Sequence, residues 1–426
     1  MRRGIISTQR VGIVTLNEDV RELEELASSA DYTVIYEVIQ RRERPEATTF
    51  VGRGKIEDLK MILLARPVDL LLIDGVLKPS QHFNLENSLK VECVDRIRLV
   101  LNIFTSRAND RESRLQVERA RLQYEMPLLK EWIHSAKMGE HPGFLGGGEY
   151  AVDVYYDLIK KRIKKIDEEL RLINQSHVIR RGQRQKRGQA LISLAGYTNA
   201  GKSALLNALT GGGVLVENRM FSTLSTTTRK VKDIGRTILL TDTIGFLDDL
   251  PTFVIEAFKN TIEEIFSADL VLLTVDSSEP RDEIRRKILT SKKILYPDLS
   301  PDKVILVLNK IDVGPGRYLD ERALSEWIEC SAIIKVSAKT GEGIDTLMDM
   351  ISQYFTPPNR FEMTLPYSDK SERFISSLRD LECLESVRYG RSIHIEGACE
   401  IKDLDRIKTQ ATLLKGTLTL VSQPSQ

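Results

Sequence analysis

The sequence has few cysteines, no long hydrophobic run and no segment that looks like a signal peptide. Its four cysteines are scattered without C-x-x-C spacing, at Cys93, Cys330, Cys383 and Cys399. This pattern argues against a disulfide framework or a cysteine-based metal site and fits a reducing compartment. No stretch approaches the roughly 18 consecutive apolar residues that cross a membrane, and the first residues lack the hydrophobic run of a signal peptide. We therefore expect a cytoplasmic protein without a membrane span.

The chain also has almost no net charge. It carries 62 Lys and Arg residues against 61 Asp and Glu residues, a formal charge of +1. No global field therefore directs it to nucleic acid, and any basic surface must be local. With 426 residues and 41% hydrophobic content, the chain is too long for one ordinary core and predicts several domains.

The strongest motif is a phosphate-binding loop at 196–203, which reads G-Y-T-N-A-G-K-S. An apolar run of strand length precedes it and a helix-forming run follows it, which is the strand–loop–helix context that the motif requires. In such loops the backbone amides point at the phosphates, the lysine reaches the β- and γ-phosphates, and the serine hydroxyl binds Mg²⁺. The predicted nucleotide contacts here are Gly196, Tyr197, Thr198, Asn199, Ala200, Gly201, Lys202 and Ser203.

Three later motifs occur in the order expected of a GTPase domain. D-T-I-G follows a predicted strand and would place Asp242 near Mg²⁺ through water and the Gly245 amide near the γ-phosphate. In N-K-I-D, the Asp312 carboxylate can accept from both the ring N1–H and the exocyclic amine of guanine. Adenine lacks this donor pair. Binding of adenine would therefore leave the carboxylate without hydrogen-bond donors, which weakens that binding. The contacts predicted from these motifs and from S-A-K are Asp242, Thr243, Ile244, Gly245, Asn309, Lys310, Ile311, Asp312, Ser337, Ala338 and Lys339.

The segment F-S-T-L-S-T-T-T-R at 221–229 is the predicted switch, which must supply a threonine to Mg²⁺. Its F-x-T-L setting favours Thr223, with Thr227 as the alternative. We predict Ser203 and Thr223 as the metal ligands. The nucleotide contacts predicted in this segment are Phe221, Ser222, Thr223, Leu224 and Ser225.

Phe246 stands where Ras-like proteins place the glutamine that orients the attacking water. A phenyl ring cannot hydrogen-bond that water, so we expect slow intrinsic hydrolysis unless another group or a partner completes the site. The carbonyl oxygen of Asn199 offers one such route, because in several GTPases of this kind an asparagine helps to hold a potassium ion. The predicted catalytic residues are Lys202, Asn199, Thr223 and Gly245.

Patterns of strands and helices predict an α/β protein in four parts. Strands alternate with helices in 1–105, which predicts a small parallel-sheet α/β domain. Two helical runs in 106–187 flank a Gly-rich segment and predict an antiparallel helical hairpin with an exposed tip, whose first helix Pro127 should kink or interrupt. Residues 188–356 form the predicted P-loop GTPase domain, and 357–426 a small C-terminal α/β domain.

Three features of the flanking parts leave alternatives open. The loop T-F-V-G-R-G-K-I at 49–56 is interpreted as a structural turn or a macromolecular contact rather than a phosphate site. Phe144 and Leu145 at the hairpin tip indicate either a contact surface or a linker. The basic residues within 160–165 and 180–187 favour an RNA contact over a solvated helix face.

The chain resembles the HflX GTPases of the Obg-like group, in their archaeal form, over nearly its whole length. The matching segments are G-R-G-K at 52–55, L-K-P-S-Q-H-F-N-L-E at 77–86, L-Q-V-E at 115–118, the phosphate-binding loop, F-S-T-L at 221–224 and D-T-I-G-F-L-D-D-L-P at 242–251. The resemblance implies a monomeric GTPase that binds the large ribosomal subunit and its rRNA and that can dissociate ribosomes. It also implies that the hairpin approaches the peptidyl transferase centre. The alternative is a nucleotide-gated RNA- or ribosome-binding module with marginal hydrolysis.

Overall fold

The computed structural model describes residues 8–138, 148–186, 189–212, 220–221, 227–232, 237–246, 259–314, 319–356, 359–380, 383–399 and 401–421. Within these ranges the chain forms three separate sheets and a pair of long helices. The predicted α/β class is confirmed. No helix in the described ranges is long and apolar enough to cross a membrane.

The first sheet is parallel and is covered by helices on both faces. Its strands lie in the order β2-β1-β3-β4, so each connection is a crossover through a helix. One hydrophobic core lies on each face, which explains why these strands are rich in Val, Ile and Leu. The elements are β1 (Gln9–Thr15), α1 (Arg21–Ser29), β2 (Tyr32–Ile39), α2 (Arg53–Ala65), β3 (Leu70–Ile73), α3 (Pro79–Leu89), β4 (Glu92–Asp95) and α4 (Arg96–Arg107).

The segment 49–56, interpreted from the sequence as a structural turn or a macromolecular contact, is a turn after β2 that leads into the first residues of α2. Phe50 and Val51 are buried, and Gly52 precedes the first residue of α2. The Gly52 amide donates to Oε1 of Gln40 over 2.9 Å, which ties the turn to the end of β2.

Two long helices, α5 (Arg111–Met138) and α6 (Gly148–Lys186), form the predicted antiparallel hairpin. Glu118 accepts two hydrogen bonds from Arg162 at 2.6 and 2.7 Å, and Lys130 lies over the Tyr156 ring at 4.6 Å. As the residue number rises along α5, the number of the contacting residue in α6 falls, so the two helices run in opposite directions. Of the two predicted effects of Pro127, the interruption is wrong, because α5 continues through it and contacts α6 on both sides, and the kink stays a prediction. The tip residues Phe144 and Leu145 lie outside the described residues.

The second sheet is the centre of the nucleotide-binding part. Its strands lie in the order β10-β9-β8-β5-β7-β6, parallel except for β6, and hydrophobic cores cover both faces. The carboxyl ends of the parallel strands therefore meet at one edge, where ligands bind in open α/β sheets. The elements are β5 (Ala190–Ala195), α7 (Lys202–Thr210), β6 (Thr227–Lys230), β7 (Ile238–Asp242), α8 (Lys259–Phe266), β8 (Leu270–Asp276), α9 (Arg281–Leu295), β9 (Val304–Asn309), α10 (Glu321–Trp327), β10 (Ala332–Lys335) and α11 (Ile344–Phe355).

The third sheet is antiparallel, in the order β12-β13-β11-β14, with a core shared by the sheet and two helices. The chain order of its elements is βαββαβ, the split βαβ arrangement. The elements are β11 (Asn359–Leu365), α12 (Asp369–Asp380), β12 (Leu384–Tyr389), β13 (Ile393–Cys399), α13 (Ile401–Leu413) and β14 (Thr417–Val421).

Candidate nucleotide-binding site

The phosphate-binding loop joins β5 to α7, and its two motif glycines are required by geometry. Gly196 has φ 133° and Gly201 has φ 89°, in the region that side chains disfavour. A Cβ at Gly196 would lie 2.1 Å from the Thr274 carbonyl oxygen, and one at Gly201 would lie 2.2 Å from Nδ2 of Asn309. Asn199 also has a positive φ of 61°, which asparagine tolerates better than most residues.

Lys202, the first residue of α7, is buried beneath the loop. Its Nζ donates to the carbonyl oxygens of Gly196 at 3.1 Å and Tyr197 at 2.8 Å. Burial lowers the pKa of Lys202 to about 8, against the opposing effect of the nearby Asp242 carboxylate. The loop thus positions a cation, together with the helix N-terminus, at a site suited to phosphate.

Ser203 in the first turn of α7 and Asp242 at the end of β7 bring two oxygen groups together. The Ser203 hydroxyl donates to Oδ2 of Asp242 over 2.6 Å, and both residues are buried. Thr243 next to them donates to the Leu194 carbonyl oxygen over 2.6 Å and so fixes the start of D-T-I-G. Hydroxyl and carboxylate oxygens are the ligands that Mg²⁺ prefers, with phosphates and water completing the shell, so these residues fit that ion.

The end of the D-T-I-G segment is hydrogen-bonded to the phosphate-binding loop. Phe246 donates its amide to the Gly196 carbonyl oxygen at 2.9 Å and accepts from the Thr198 amide at 3.0 Å. A Cβ at Gly245 would lie 2.8 Å from the backbone of Thr198, so glycine permits this close approach. The Phe246 ring packs edge-on to Tyr197, with ring centroids 6.3 Å apart, inside the core. The residue after Gly245 therefore contributes an apolar contact rather than a polar group.

Asn309 connects three segments of the site. Its Nδ2 donates to the Ala200 carbonyl oxygen at 2.9 Å, and its Oδ1 accepts from the Ala338 amide at 3.0 Å. This buried side chain thus joins the end of β9 to the phosphate-binding loop and to the S-A-K loop. Lys310 beside it pairs with Asp276 over 2.6 Å and has φ 67°.

Asp312 is exposed, with one carboxylate oxygen accepting from the Ser337 hydroxyl at 2.7 Å. Ser337 itself is buried and accepts from the Thr340 amide at 3.2 Å, so the loop holds the carboxylate in place. Because Asp312 is exposed here, its discrimination between bases can operate only when a bound base covers it.

A cavity of about 920 Å³ lies over these segments, within the range of small-molecule sites. Predicted site residues that line it are Thr198, Asn199, Gly201, Lys202, Ser203, Phe221, Thr243, Gly245, Asn309, Lys310, Asp312, Ser337, Ala338 and Lys339. Predicted residues that support these segments without lining the cavity are Gly196, Tyr197, Ala200, Asp242, Ile244 and Ile311. Ser222, Thr223, Leu224 and Ser225 lie outside the described residues.

Sequence reasoning missed several residues that line the cavity, among them Asn207, Ser278 and Val313. Ser278 follows Asp276 at the carboxyl end of β8, and its amide donates to Oδ1 of that residue at 2.9 Å. The position of two polar residues directly after a buried strand could have indicated that Ser278 belongs to the site. Thr227, the alternative switch threonine, begins β6 and lies opposite Asp242 in the sheet register.

Comparison with known proteins gives matches along most of the chain. A family model described as GTP-binding GTPase N-terminal matches residues 17–105, GTP-binding GTPase Middle Region matches 107–186, and 50S ribosome-binding GTPase matches 191–310. A crystal structure of SsGBP in complex with GDP has a TM-score of 0.50 and 26% identity, and the match covers 81% of this chain and 98% of that one.

Relatives named GTPase HflX also match over most of the chain. The one from Thermococcus kodakarensis is 39% identical over 398 residues, which are 91% of this chain and 90% of the relative. The one from Methanocaldococcus jannaschii is 40% identical over 339 residues, 79% of this chain and 83% of the relative. Since relatives at this identity span most of both chains and the site carries the guanine-nucleotide motifs, this chain belongs to the HflX family of GTP-binding, GTP-hydrolysing enzymes.

Proposed function

We propose that this GTPase binds the large ribosomal subunit through the α5–α6 hairpin, contacts its rRNA and uses the nucleotide cycle to control ribosome association. The observation that carries the proposal is an exposed stripe on α6. Val154 and Leu158 are 53% and 55% exposed, and Lys161 and Lys165 continue the same face in steps of three and four. Apolar and cationic side chains on one face suit a partner that offers both bases and phosphates.

The name of one matching family model supports the same partner. The description 50S ribosome-binding GTPase belongs to the model that matches 191–310, the nucleotide-binding part. The exposed stripe lies on a different part of the chain, so the two observations are independent. Dissociation of ribosomes would follow if the bound hairpin competes with contacts between the subunits.

In the proposed reaction, Lys202 neutralises the β- and γ-phosphates and the Gly245 amide contacts the γ-phosphate. Ser203 and Thr223 would hold Mg²⁺, with Asp242 acting through water. When bound, the ion neutralises charge that develops on the phosphate oxygens. Because Lys202 is already hydrogen-bonded beneath the loop, the chain presents this cation without a large rearrangement.

Asn199 is the residue proposed to hold a potassium ion in place of an arginine. It lines the cavity beside Lys202, and its carbonyl oxygen is the kind of ligand that such an ion prefers. We expect hydrolysis to be faster in potassium than in sodium buffer, and Asn199→Ala to remove the difference while GDP binding remains. Equal rates of the unsubstituted protein in both buffers would contradict this role.

The burial of Phe246 in the core favours a second candidate, a nucleotide-gated binding module with marginal hydrolysis. The two candidates differ in single-turnover hydrolysis measured with and without purified large subunits. Faster hydrolysis in the presence of large subunits supports the first candidate, a GTPase whose cycle controls ribosome association. If neither subunits nor potassium raise the rate, the second is correct.

Co-sedimentation with separated ribosomal subunits tests the proposed partner. We expect this chain to pellet with large subunits in a non-hydrolysable GTP analogue more than in GDP. The double variant Lys161→Glu with Lys165→Glu should lose this binding. The matched control Arg406→Glu with Lys408→Glu makes the same charge change on the exposed surface of α13. Absence of pelleting under both nucleotides would overturn the proposal, and unchanged pelleting of the first variant would exclude the stripe as the contact.

A further inference from the structure

A groove of about 250 Å³ lies between the two helices that cover the third sheet, α12 and α13. Strands β11 and β13 are antiparallel, and each is followed by a helix that returns along the sheet, so the two helices are antiparallel as well. The nucleotide cavity and the exposed stripe on α6 lie in other parts of the chain.

Each helix contributes one rim of the groove, and both rims follow the helical repeat in steps of three and four residues. The rim residues are Lys370, Arg373 and Ser377 on α12 and Asp403, Arg406 and Gln410 on α13. Because the helices are antiparallel, the middle residues of the two rims, Arg373 and Arg406, lie at the same level of the groove.

Three cations and one carboxylate lie on the two rims. In the part of the chain that the structure describes, no hydrogen bond or ion pair involves the side chains of Lys370, Arg373 or Arg406. Like charges on neighbouring helical positions repel each other, so the two arginines are favoured when an anion lies between them. A guanidinium group binds a carboxylate through two parallel hydrogen bonds. The middle of the groove therefore suits a ligand that carries carboxylates.

The floor of the groove is apolar. Leu378 and Ile407 are buried in the core of the third sheet, and Phe374 is partly buried beside them. Leu413 continues the α13 rim, three positions after Gln410, and is 70% exposed. An apolar floor between charged rims fits an amphipathic segment with apolar side chains facing inward and acidic side chains facing the rims.

Asp403 favours a peptide over a nucleic acid as the occupant. A nucleic-acid strand carries a phosphate at every nucleotide, and one of these charges would lie near this carboxylate. A peptide can place a neutral residue there, and its backbone amide can donate to the carboxylate. The aliphatic side chains of Leu378 and Ile407 likewise suit a leucine-sized group, whereas bases stack on exposed aromatic rings.

We propose that the groove between α12 and α13 binds an acidic peptide segment of a partner protein. Carboxylates of the segment pair with Arg373 and Arg406, and its apolar side chains cover Leu378 and Ile407. The groove belongs to a different part of the chain from the hairpin, so this inference is independent of the proposed ribosome contact. It agrees with the use of a charge reversal at Arg406 as a control for binding to large subunits.

The test measures binding of a fluorescein-labelled peptide, E-E-L-E-E-L-E with blocked ends, to the full chain by fluorescence anisotropy. Three matched probes are the same peptide with Gln in place of Glu, the same peptide with Ser in place of Leu, and a labelled oligouridine. Arg373→Glu with Arg406→Glu reverses the charge in the middle of the groove. Arg379→Glu with Lys408→Glu is the matched control, because these exposed residues lie on the same two helices outside the described groove lining.

We expect the acidic peptide to bind the unsubstituted chain and the control variant equally. Its affinity for the groove variant should be about tenfold lower, because two partly exposed ion pairs are lost. The Gln and Ser peptides should bind more weakly than the parent, since one lacks the charges and the other lacks the apolar side chains. Arg373→Lys with Arg406→Lys keeps the charges without the two-pronged geometry and should give an intermediate affinity. Equal GDP affinity in all variants checks that they are folded.

Equal weakening in the groove variant and the control variant would overturn the inference, since it would show a response to net charge alone. Tighter binding of the oligouridine than of the acidic peptide, lost in the groove variant, would assign the groove to nucleic acid instead. Equal binding of the Glu and Gln peptides would exclude an acidic partner. Absence of binding of the acidic peptide at about 1 mM would exclude the groove as a peptide site.

Discussion

At the scale of single residues, the site depends on side chains that join segments rather than on side chains that only face a ligand. Asn309 hydrogen-bonds both the phosphate-binding loop and the S-A-K loop. Ser337 holds Asp312 in the same way. Because these links are buried or partly buried, removing one leaves a polar partner without its hydrogen bond, which costs about 1–3 kcal/mol. These hydrogen bonds hold together the segments that line the cavity, so the cavity is preformed.

Asp312→Asn tests the guanine contact directly. The amide can donate where the carboxylate only accepts, so preference should move from guanine toward xanthosine nucleotides. The measurement is competition between GDP and xanthosine diphosphate for the variant and the unsubstituted chain. Asp298→Asn, away from the cavity lining, is the control. Unchanged GDP affinity in Asp312→Asn would contradict the assignment.

The lowered pKa of Lys202 predicts proton uptake on nucleotide binding. Burial lowers its pKa to about 8, and bound phosphates should raise it again by favouring the charged form. At pH 8.5 we expect uptake of about 0.8 proton per GDP, from the fraction of lysine that is neutral at that pH. Calorimetric titration in two buffers of different ionisation enthalpy measures it. Lys202→Arg remains charged and should take up none; equal uptake in that variant would place the proton elsewhere.

At the scale of elements, the hairpin is joined to the helix that follows the D-T-I-G segment. His177 of α6 lies 3.1 Å from a Glu112 carboxylate oxygen in α5 and 3.4 Å from one of Glu264 in α8. Asn174, one turn earlier, donates to Glu263 at 3.5 Å. These contacts join α8 to the hairpin, which is the part proposed to bind the ribosome.

The position of His177 predicts a pH-dependent contribution to stability. Hydrogen bonds to Glu112 and then Glu264 raise its pKa from the ordinary 6.5 to about 9. A raised folded-state pKa means that the stabilisation is complete below pH 6.5 and is lost as the pH rises through 9. After allowance for solvent screening, His177→Gln should lower the free energy of unfolding by about 1 kcal/mol at pH 6, and by little at pH 10.

Chemical denaturation at both pH values checks this prediction. His394→Gln is the control, because that exposed histidine contacts only the hydroxyls of Thr364 and Ser392 among its described hydrogen bonds. A loss in His177→Gln of equal size at pH 6 and pH 10 would show that the histidine contributes through packing rather than charge.

At the scale of the whole molecule, three sheets have their own hydrophobic cores, and the first two meet at Met220 and Phe221. The cluster beneath the third sheet draws its members from residues 361–418 alone. We therefore propose the division of the chain into 1–105, 106–187, 188–356 and 357–426.

The separate core of the third sheet predicts the result of a truncation. Removal of 357–426 should leave GDP affinity within about twofold, since the described cavity lining ends at Lys339 and domains with their own cores fold independently. Fluorescence titration with a labelled GDP measures this. Loss of nucleotide binding or aggregation of the remaining chain would show that the C-terminal part completes another core.

Local motifs predicted most of the nucleotide site, because the residues that contact each phosphate or the base lie close together in the sequence. Gly196, Gly201, Lys202 and Asp312 could be assigned from spacing alone. The structure places the last three on one cavity and Gly196 in the loop that supports it. The alternation of strand and helix also predicted the parallel sheets. Strand β12 could not be predicted in this way, because its polar composition, L-E-S-V-R-Y, shows no clean alternation of apolar and polar residues. Its pairing with β13 makes it a strand.

The sequence by itself determined the GTPase motifs, the fold class and the antiparallel hairpin, since these follow from short spacings and hydrophobic periodicity. Tertiary structure alone decided that Phe221 packs on Phe104, that His177 lies between two glutamates, and that α5 continues through Pro127. The first two contacts join residues far apart in the chain, and a contact between distant residues leaves no periodic pattern in either segment. Helix α5 is maintained by its packing and ion pairs with α6, which outweigh the local preference of one proline.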